Sequence, residues 1–280
     1  MAKSAALAKS FFPQPPMFSH VPPNPVYPLP LKGICFLSRA RIHQVIHILS
    51  SYKAPGPDNI PNVVLIKCCD VIIGHVFFIF GAIIKLNVHH PQWLELTTLV
   101  LRKIGKLSYD VAKAYCPIGL INTIPKVFST HCSKHISYLA EKHGLLPPSQ
   151  FGGRPRKNTT DVMLLVTHKI KNAWRKGKSA AALFLNLQGV FSNTIKEQLI
   201  HNMCMRRVLE CFINIISLLL TGHTTHLKFD NYISEPIPLD LDNSTMQRDP
   251  SSMLYYSFYN APLIKTHPTM YFLWDSWMTP

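Results

Sequence analysis

The stretch LELTTLVLRKIGK, residues 94–106, decides the fold class. Its apolar and β-branched side chains, followed by Gly105, are the pattern of a strand that runs into a turn. Arg102, Lys103 and Lys106 sit at that turn and make it a basic loop. Before and after it, the spacing becomes helical. Residues 37–52 favour a helix, closed by KAPGPDNIP (53–61), where Pro-Gly-Pro forces a loop. Residues 62–86 read as one or two buried helices, and 125–143 as another. LLPPSQFGGRPRKNTTD (145–161) is a loop of glycine, proline and cations. Asn158 or Thr159 then caps a helix reaching residue 176, with apolar positions at Val162, Leu165, Val166, Ile170 and Trp174. Further helices fit 194–205, 209–220 and 251–261, and residues 223–241 fit a β-hairpin turning at Asp230-Asn231. Strands and helices mixed without a regular βαβ repeat predict the α+β class.

The chain has 280 residues, 47% of them hydrophobic, enough for a sizeable core. Lysine and arginine number 29 against 14 acids, a formal charge of +15. That imbalance points to a polyanionic partner, nucleic acid before anionic membrane, against a merely solubilising surface. Seven cysteines contain no CxxC pair, so neither a zinc module nor a disulfide framework is indicated. His89-His90, His223 and His226 lack a cysteine or carboxylate at metal-site spacing. Asp240 and Asp242 share one face of a strand and read as surface acids. Residues 11–30 hold eight of the 23 prolines, so residues 1–36 are expected to form an extended, disordered arm. The N-terminus makes a poor secretory signal, which implies an intracellular protein. The apolar run 71–86 is short for a bilayer span and carries His75, so it is expected to be a core helix, not a membrane anchor.

Six segments give a sharper reading when taken in order: KAPGPDNIP (53–61), LVLRKIGK (99–106), KAYCPIGLINT (113–123), HGLLPPSQFGGRPRKNTTD (143–161), ALFLNLQGVF (182–191) and MQRDPSSMLYYSFYNA (246–261). Together they resemble the reverse transcriptase domain of non-LTR, LINE-like retrotransposons of the fungal type. The resemblance implies the fingers and palm of a right-handed polymerase, with residues 37–178 fingers-like, 179–264 a partial palm, and 265–280 a frayed or out-of-family tail. It also implies nucleotidyl transfer by two magnesium ions held on three carboxylates. On this resemblance Arg102, Lys103, Phe191 and Gln247 fall at nucleotide-binding positions. Lys106, Arg154, Arg156 and Lys157 fall at positions that meet nucleic acid.

The same alignment of motifs exposes the departures. The first catalytic carboxylate position holds Asn186, whose amide lacks the charge and bridging oxygen that magnesium prefers. No Asp-Asp pair follows Ala261, and Asp275 in YFLWDS is short in spacing and single. Cys116 stands where relatives have arginine, and Arg248 where they have glycine. The implied protein is therefore a degenerate, C-terminally truncated copy, without catalytic metal binding. The alternative is a non-catalytic binder of RNA or an RNA–DNA hybrid, with at most weak nucleoside triphosphate binding. No bound cofactor is expected.

Overall fold

A computed structural model describes residues 2–13, 21–33, 36–88, 90–182, 184, 190, 193–239 and 249–266. The strand expected at 94–106 is β1, Glu95–Arg102. Its alternate residues Leu96, Thr98 and Val100 are buried, as period-two patterning requires. KAYCPIGLINT supplies β2, Tyr115–Ile121, which lies antiparallel to β1 with Val100 opposite Pro117. Among the described residues β2 pairs with β1 alone, and this edge position tolerates a proline that has no N–H to donate.

On the other side of β1 runs β3, His223–Phe229, parallel to it with Glu95 opposite Thr224. The hydroxyls of Thr98 and Thr225 meet at 2.8 Å in the interior and tie the two strands across the sheet. The hairpin turn forms at Asp230-Asn231 as expected, with Asp230 in the left-handed region at φ 50. Its return arm is split into β4, Tyr232–Ile233, and β5, Ile237–Leu239, both antiparallel to β3. The pairing shifts by one residue between them, because Ser234, Glu235 and Pro236 oppose only His226 and Leu227. Ser234 fills this bulge: its Oγ accepts from the Leu227 amide at 2.9 Å and its own amide donates to the Leu227 carbonyl at 3.0 Å.

Around the sheet lie α1 (Ala2–Phe11), α2 (Arg39–His47), α3 (Asn62–Lys67), α4 (Cys69–Leu86), α5 (Thr123–His143), α6 (Thr159–Arg175), α7 (Lys196–Met205), α8 (Glu210–Leu219) and α9 (Ser252–Thr266). The α+β expectation holds. The main core joins Ile42, Phe80, Phe128, Ile136, Met203, Phe212 and Phe258, drawn from α2, α4, α5, α7, α8 and α9. Strands and core alike combine residues from both sides of position 178, so the segments 37–178 and 179–264 share one sheet and one interior.

Two expectations are corrected. The first residues of the arm are helical: α1 buries Leu7 and Phe11 against Val100, Tyr115, Leu227 and Phe229. Prolines begin only at residue 13, so nothing in 2–11 opposes a helix. Residues 21–33 are extended yet fastened, with Arg207 donating to the Leu29 carbonyl and accepting from the Leu31 amide. Second, α4 is not a buried helix: Cys69, Val76, Phe80 and Ile83 face the core, whereas Val71 and Phe78 are 81% and 67% exposed. By length and composition alone, Cys69–Leu86 is apolar enough to cross a membrane. Along the apolar spacing of α6, Val162 is buried and Leu165, Val166 and Ile170 are half-buried, whereas Trp174 is 65% exposed.

Candidate nucleic-acid interface

The motif loops are held by one another. Gly56 of KAPGPDNIP lies so close to the end of β2 that a Cβ there would stand 2.4 Å from the Asn122 amide nitrogen and 2.5 Å from the Ile121 carbonyl carbon. Asn122 accepts from the Asp58 amide at 3.0 Å and donates to the Gln92 carbonyl at 3.0 Å. Thr123 Oγ1 donates to the Ile60 carbonyl at 2.7 Å. Two motifs that are 60 residues apart in sequence thus form one fixed junction at the start of α5.

The basic loop after β1 leaves that sheet with its cations outward. Lys103, Lys106 and Lys113 are exposed or half-exposed, and Ile104 and Leu107 are fully in solvent. The Lys103 amide donates to the Ala114 carbonyl at 2.8 Å, and Tyr109 Oη donates to the Lys103 carbonyl at 2.9 Å, which pins both ends of the loop. Arg102 stacks over the Tyr109 ring at 5.4 Å and lies 3.6 Å from Asp230. Lys3 reaches the same carboxylate at 3.5 Å, so Asp230 draws two cations to the end of the sheet. Both pairs are exposed and open to exchange with another anion.

The 145–161 loop is built differently. Arg154 is turned inward, its side chain 8% exposed, and its Nε and Nη2 donate to the two carboxylate oxygens of Glu141 at 2.7 Å each. Its Nη1 donates to the Pro147 carbonyl at 2.8 Å. The guanidinium braces the loop against α5. The Arg154 hydrogen bonds hold the Glu141 carboxyl below its ordinary range. Lys157 folds back to the Pro148 carbonyl at 2.7 Å and over the Phe151 ring at 4.7 Å. Burial, and then the neighbouring Arg154, push its pKa down. Arg156 is exposed, with left-handed backbone at φ 61. Gly153, at φ 70, packs the loop on α9 near Ser257.

Asn186, Phe191 and Gln247 lie outside the described residues, as do Asp240, Asp242 and Asp275. Asp249, the acid beside Gln247, is 9% exposed. Its Oδ1 accepts from Ser129 Oγ of α5 and from the Ser251 amide, each at 2.7 Å, and also from Ser251 Oγ. It is the cap that fastens α9 to α5. A small cavity beside it is lined by Trp93, Pro125, Leu220, His223 and Tyr255. His223 is spent on backbone carbonyls, of Leu94 at 3.1 Å and Leu219 at 2.7 Å, and burial lowers its pKa.

A surface that the motifs did not flag lies at the end of α6. Lys171, Arg175, Lys176 and Lys178 are all exposed, and Trp174 stands among them. Four cations in eight residues around an aromatic ring are visible in the sequence, but the exposure of the ring is not. The helix is well anchored at its start by a capping box, in which Asn158 accepts from the Asp161 amide at 2.9 Å and Asp161 accepts from the Asn158 amide at 3.0 Å.

A mixed α+β chain whose outward loops and helix end are cationic has the surface character of a protein that meets a polyanion. Sequence comparison is more specific. No protein-family model matches the chain. It is 25% identical over 175 residues to a protein named as a probable RNA-directed DNA polymerase from transposon BS of Drosophila melanogaster, covering 61% of this chain. It is 31% identical over 150 residues to the corresponding protein of transposon X-element of the same fly. To the RNA-directed DNA polymerase from mobile element jockey of Drosophila funebris it is 24% identical over 150 residues. These alignments take in 18%, 16% and 16% of the relatives' own lengths, so the chain matches less than a fifth of each. The similarity to non-LTR retrotransposon reverse transcriptases expected from the six motifs is thereby found, with insect elements where the motifs suggested fungal ones.

Proposed function

We propose that this chain is a reverse transcriptase derivative that binds RNA or an RNA–DNA hybrid and does not polymerise. The observation that carries the binding half is Trp174, 65% exposed among Lys171, Arg175, Lys176 and Lys178. Bases stack on an exposed indole, and flanking cations neutralise phosphates and release counterions, a combination that holds single strands without sequence preference. Arg102, Lys103 and Lys106 add a second cationic surface, on a loop pinned at both ends. Arg156, exposed on the 145–161 loop, adds a further cation, and Arg154 and Lys157 act by fixing that loop.

The other half rests on ligand chemistry. In the relatives' class, two magnesium ions activate the primer hydroxyl and neutralise the leaving pyrophosphate. Asn186 supplies a neutral oxygen where that chemistry needs an anion, and Asp249 is engaged by Ser129 and Ser251. Primer extension on an RNA template with magnesium or manganese tests this half. The reading predicts no template-directed product from the wild-type chain. Extension by the wild type, abolished by Asp249→Asn but not by replacing Glu235, would overturn it.

A further inference from the structure

Two histidines of α2 and the first residues of α4 meet in a way that the nucleic-acid reading does not use. His43 and His47 are one helical turn apart, so both rings project from one face of α2, with centroids 4.3 Å apart. They face the N-terminal end of α4. There Cys69 is buried, and a ligand atom from each of His43, His47 and Cys69 lies within 4.8 Å of the others. The next residue, Asp70, places Oδ1 3.5 Å from His43 Nε2. Two imidazoles and a thiol thus converge from two elements that are 22 residues apart in sequence, with the Asp70 carboxylate beside the His43 ring.

We propose that His43, His47, Cys69 and Asp70 form a structural zinc site that staples α2 to α4. The donor types are those of tetrahedral zinc, with nitrogen at about 2.0 Å and sulfur at about 2.3 Å. Around one such ion, neighbouring ligand atoms stand about 3.5 Å apart, the separation already present between His43 and Asp70. Closing the spread of His43, His47 and Cys69 from 4.8 Å requires side-chain rotation that the half-exposed His43 and the exposed His47 are free to make, and the largely exposed Asp70 is free to swing in as the fourth ligand. Four protein ligands close the coordination sphere, so the site supports the fold and leaves no position for a substrate. The site escapes sequence reading because its cysteine has no CxxC partner and lies far from the His-x-x-x-His pair.

Cobalt titration of the purified full-length chain, prepared without a histidine tag, tests the proposal. The expected result is one cobalt per chain with the visible bands of tetrahedral coordination and a thiolate-to-metal charge-transfer band, all removed by added zinc. Cys69→Ser abolishes the thiolate band, His47→Ala weakens cobalt binding at least ten-fold, and Cys116→Ser changes neither. Because Cys69 is buried, circular dichroism accompanies each variant; if Cys69→Ser does not fold, His47→Ala, altered at an exposed position, decides. No tetrahedral spectrum from folded wild type, or a thiolate band that survives His47→Ala at full affinity, would overturn the proposal.

Discussion

Arg154 and Glu141 face each other in a two-pronged ion pair, Nε to Oε1 and Nη2 to Oε2, both at 2.7 Å. The guanidinium is nearly enclosed, so this pair fixes the 145–161 loop on α5. Arg154→Ala leaves the Glu141 carboxylate without its guanidinium and removes one of the donors to the Pro147 and Gln150 carbonyls, and should cost about 2–3 kcal/mol, read from urea unfolding midpoints. Arg156→Ala, on the exposed side of the same loop, should change stability by less than about 0.5 kcal/mol. If Arg154 instead faced outward to nucleic acid, the two variants would unfold alike.

Protonation should matter in the acid range. Burial pushes the His135 imidazole down to about 4, with Arg41 and His131 adding repulsion, and burial also lowers His131 and His223. A histidine whose folded pKa lies below its unfolded value takes its proton preferentially in the unfolded chain. Its stabilisation is therefore complete above pH 6.5 and is lost as pH falls toward 4. The melting temperature should decline across that window, and His135→Phe should flatten the decline. Glu141 acts at lower pH: its depressed pKa gives stability above its ordinary value of 4.5, lost on further acidification.

Gly56→Ala should destabilise the fold by about 2 kcal/mol or more, because the added methyl meets backbone atoms of Ile121 and Asn122 that cannot rotate away. Gly74→Ala, on α4 with open space at its Cβ, should be neutral or stabilising by up to about 1 kcal/mol. Thermal unfolding of the two variants side by side distinguishes a packing constraint from a general preference for glycine.

Removing the α6 cations together, with Lys171, Arg175, Lys176 and Lys178 changed to alanine, should weaken binding of single-stranded RNA and make it less dependent on salt. Each lost phosphate contact lowers the log–log salt slope by about 0.7 on single strands. Trp174→Ala should weaken binding by about 1–3 kcal/mol with the slope unchanged, since stacking releases no counterions. Equal slopes for wild type and the fourfold variant would remove α6 from the interface.

Much of this architecture was legible because it is local. Alternation at Leu96, Thr98 and Val100 marks β1, Asp230-Asn231 marks the hairpin, and Asn158 with Asp161 marks the start of α6. What escaped depends on contacts between distant segments. β2 carries Pro117, which reads against a strand until its edge position is known. Trp174 continues the helical spacing of Val162, yet Val162 is buried and the indole is left in solvent. Arg154 looks like its neighbour Arg156 in the sequence, and only Glu141, across a turn, separates a brace from a contact. The place of Asp249 escapes for the same kind of reason: Ser129, 120 residues away, supplies its partner.

The central claim is that a folded, cationic, non-polymerising interface persists, and fluorescence anisotropy across a salt series tests it most directly. Wild-type chain titrated against a single-stranded RNA and an RNA–DNA hybrid should bind saturably. Four or more phosphate contacts on the single strand predict a log–log slope near −3 or steeper. Binding that is absent at low salt, or indifferent to salt, would contradict the account.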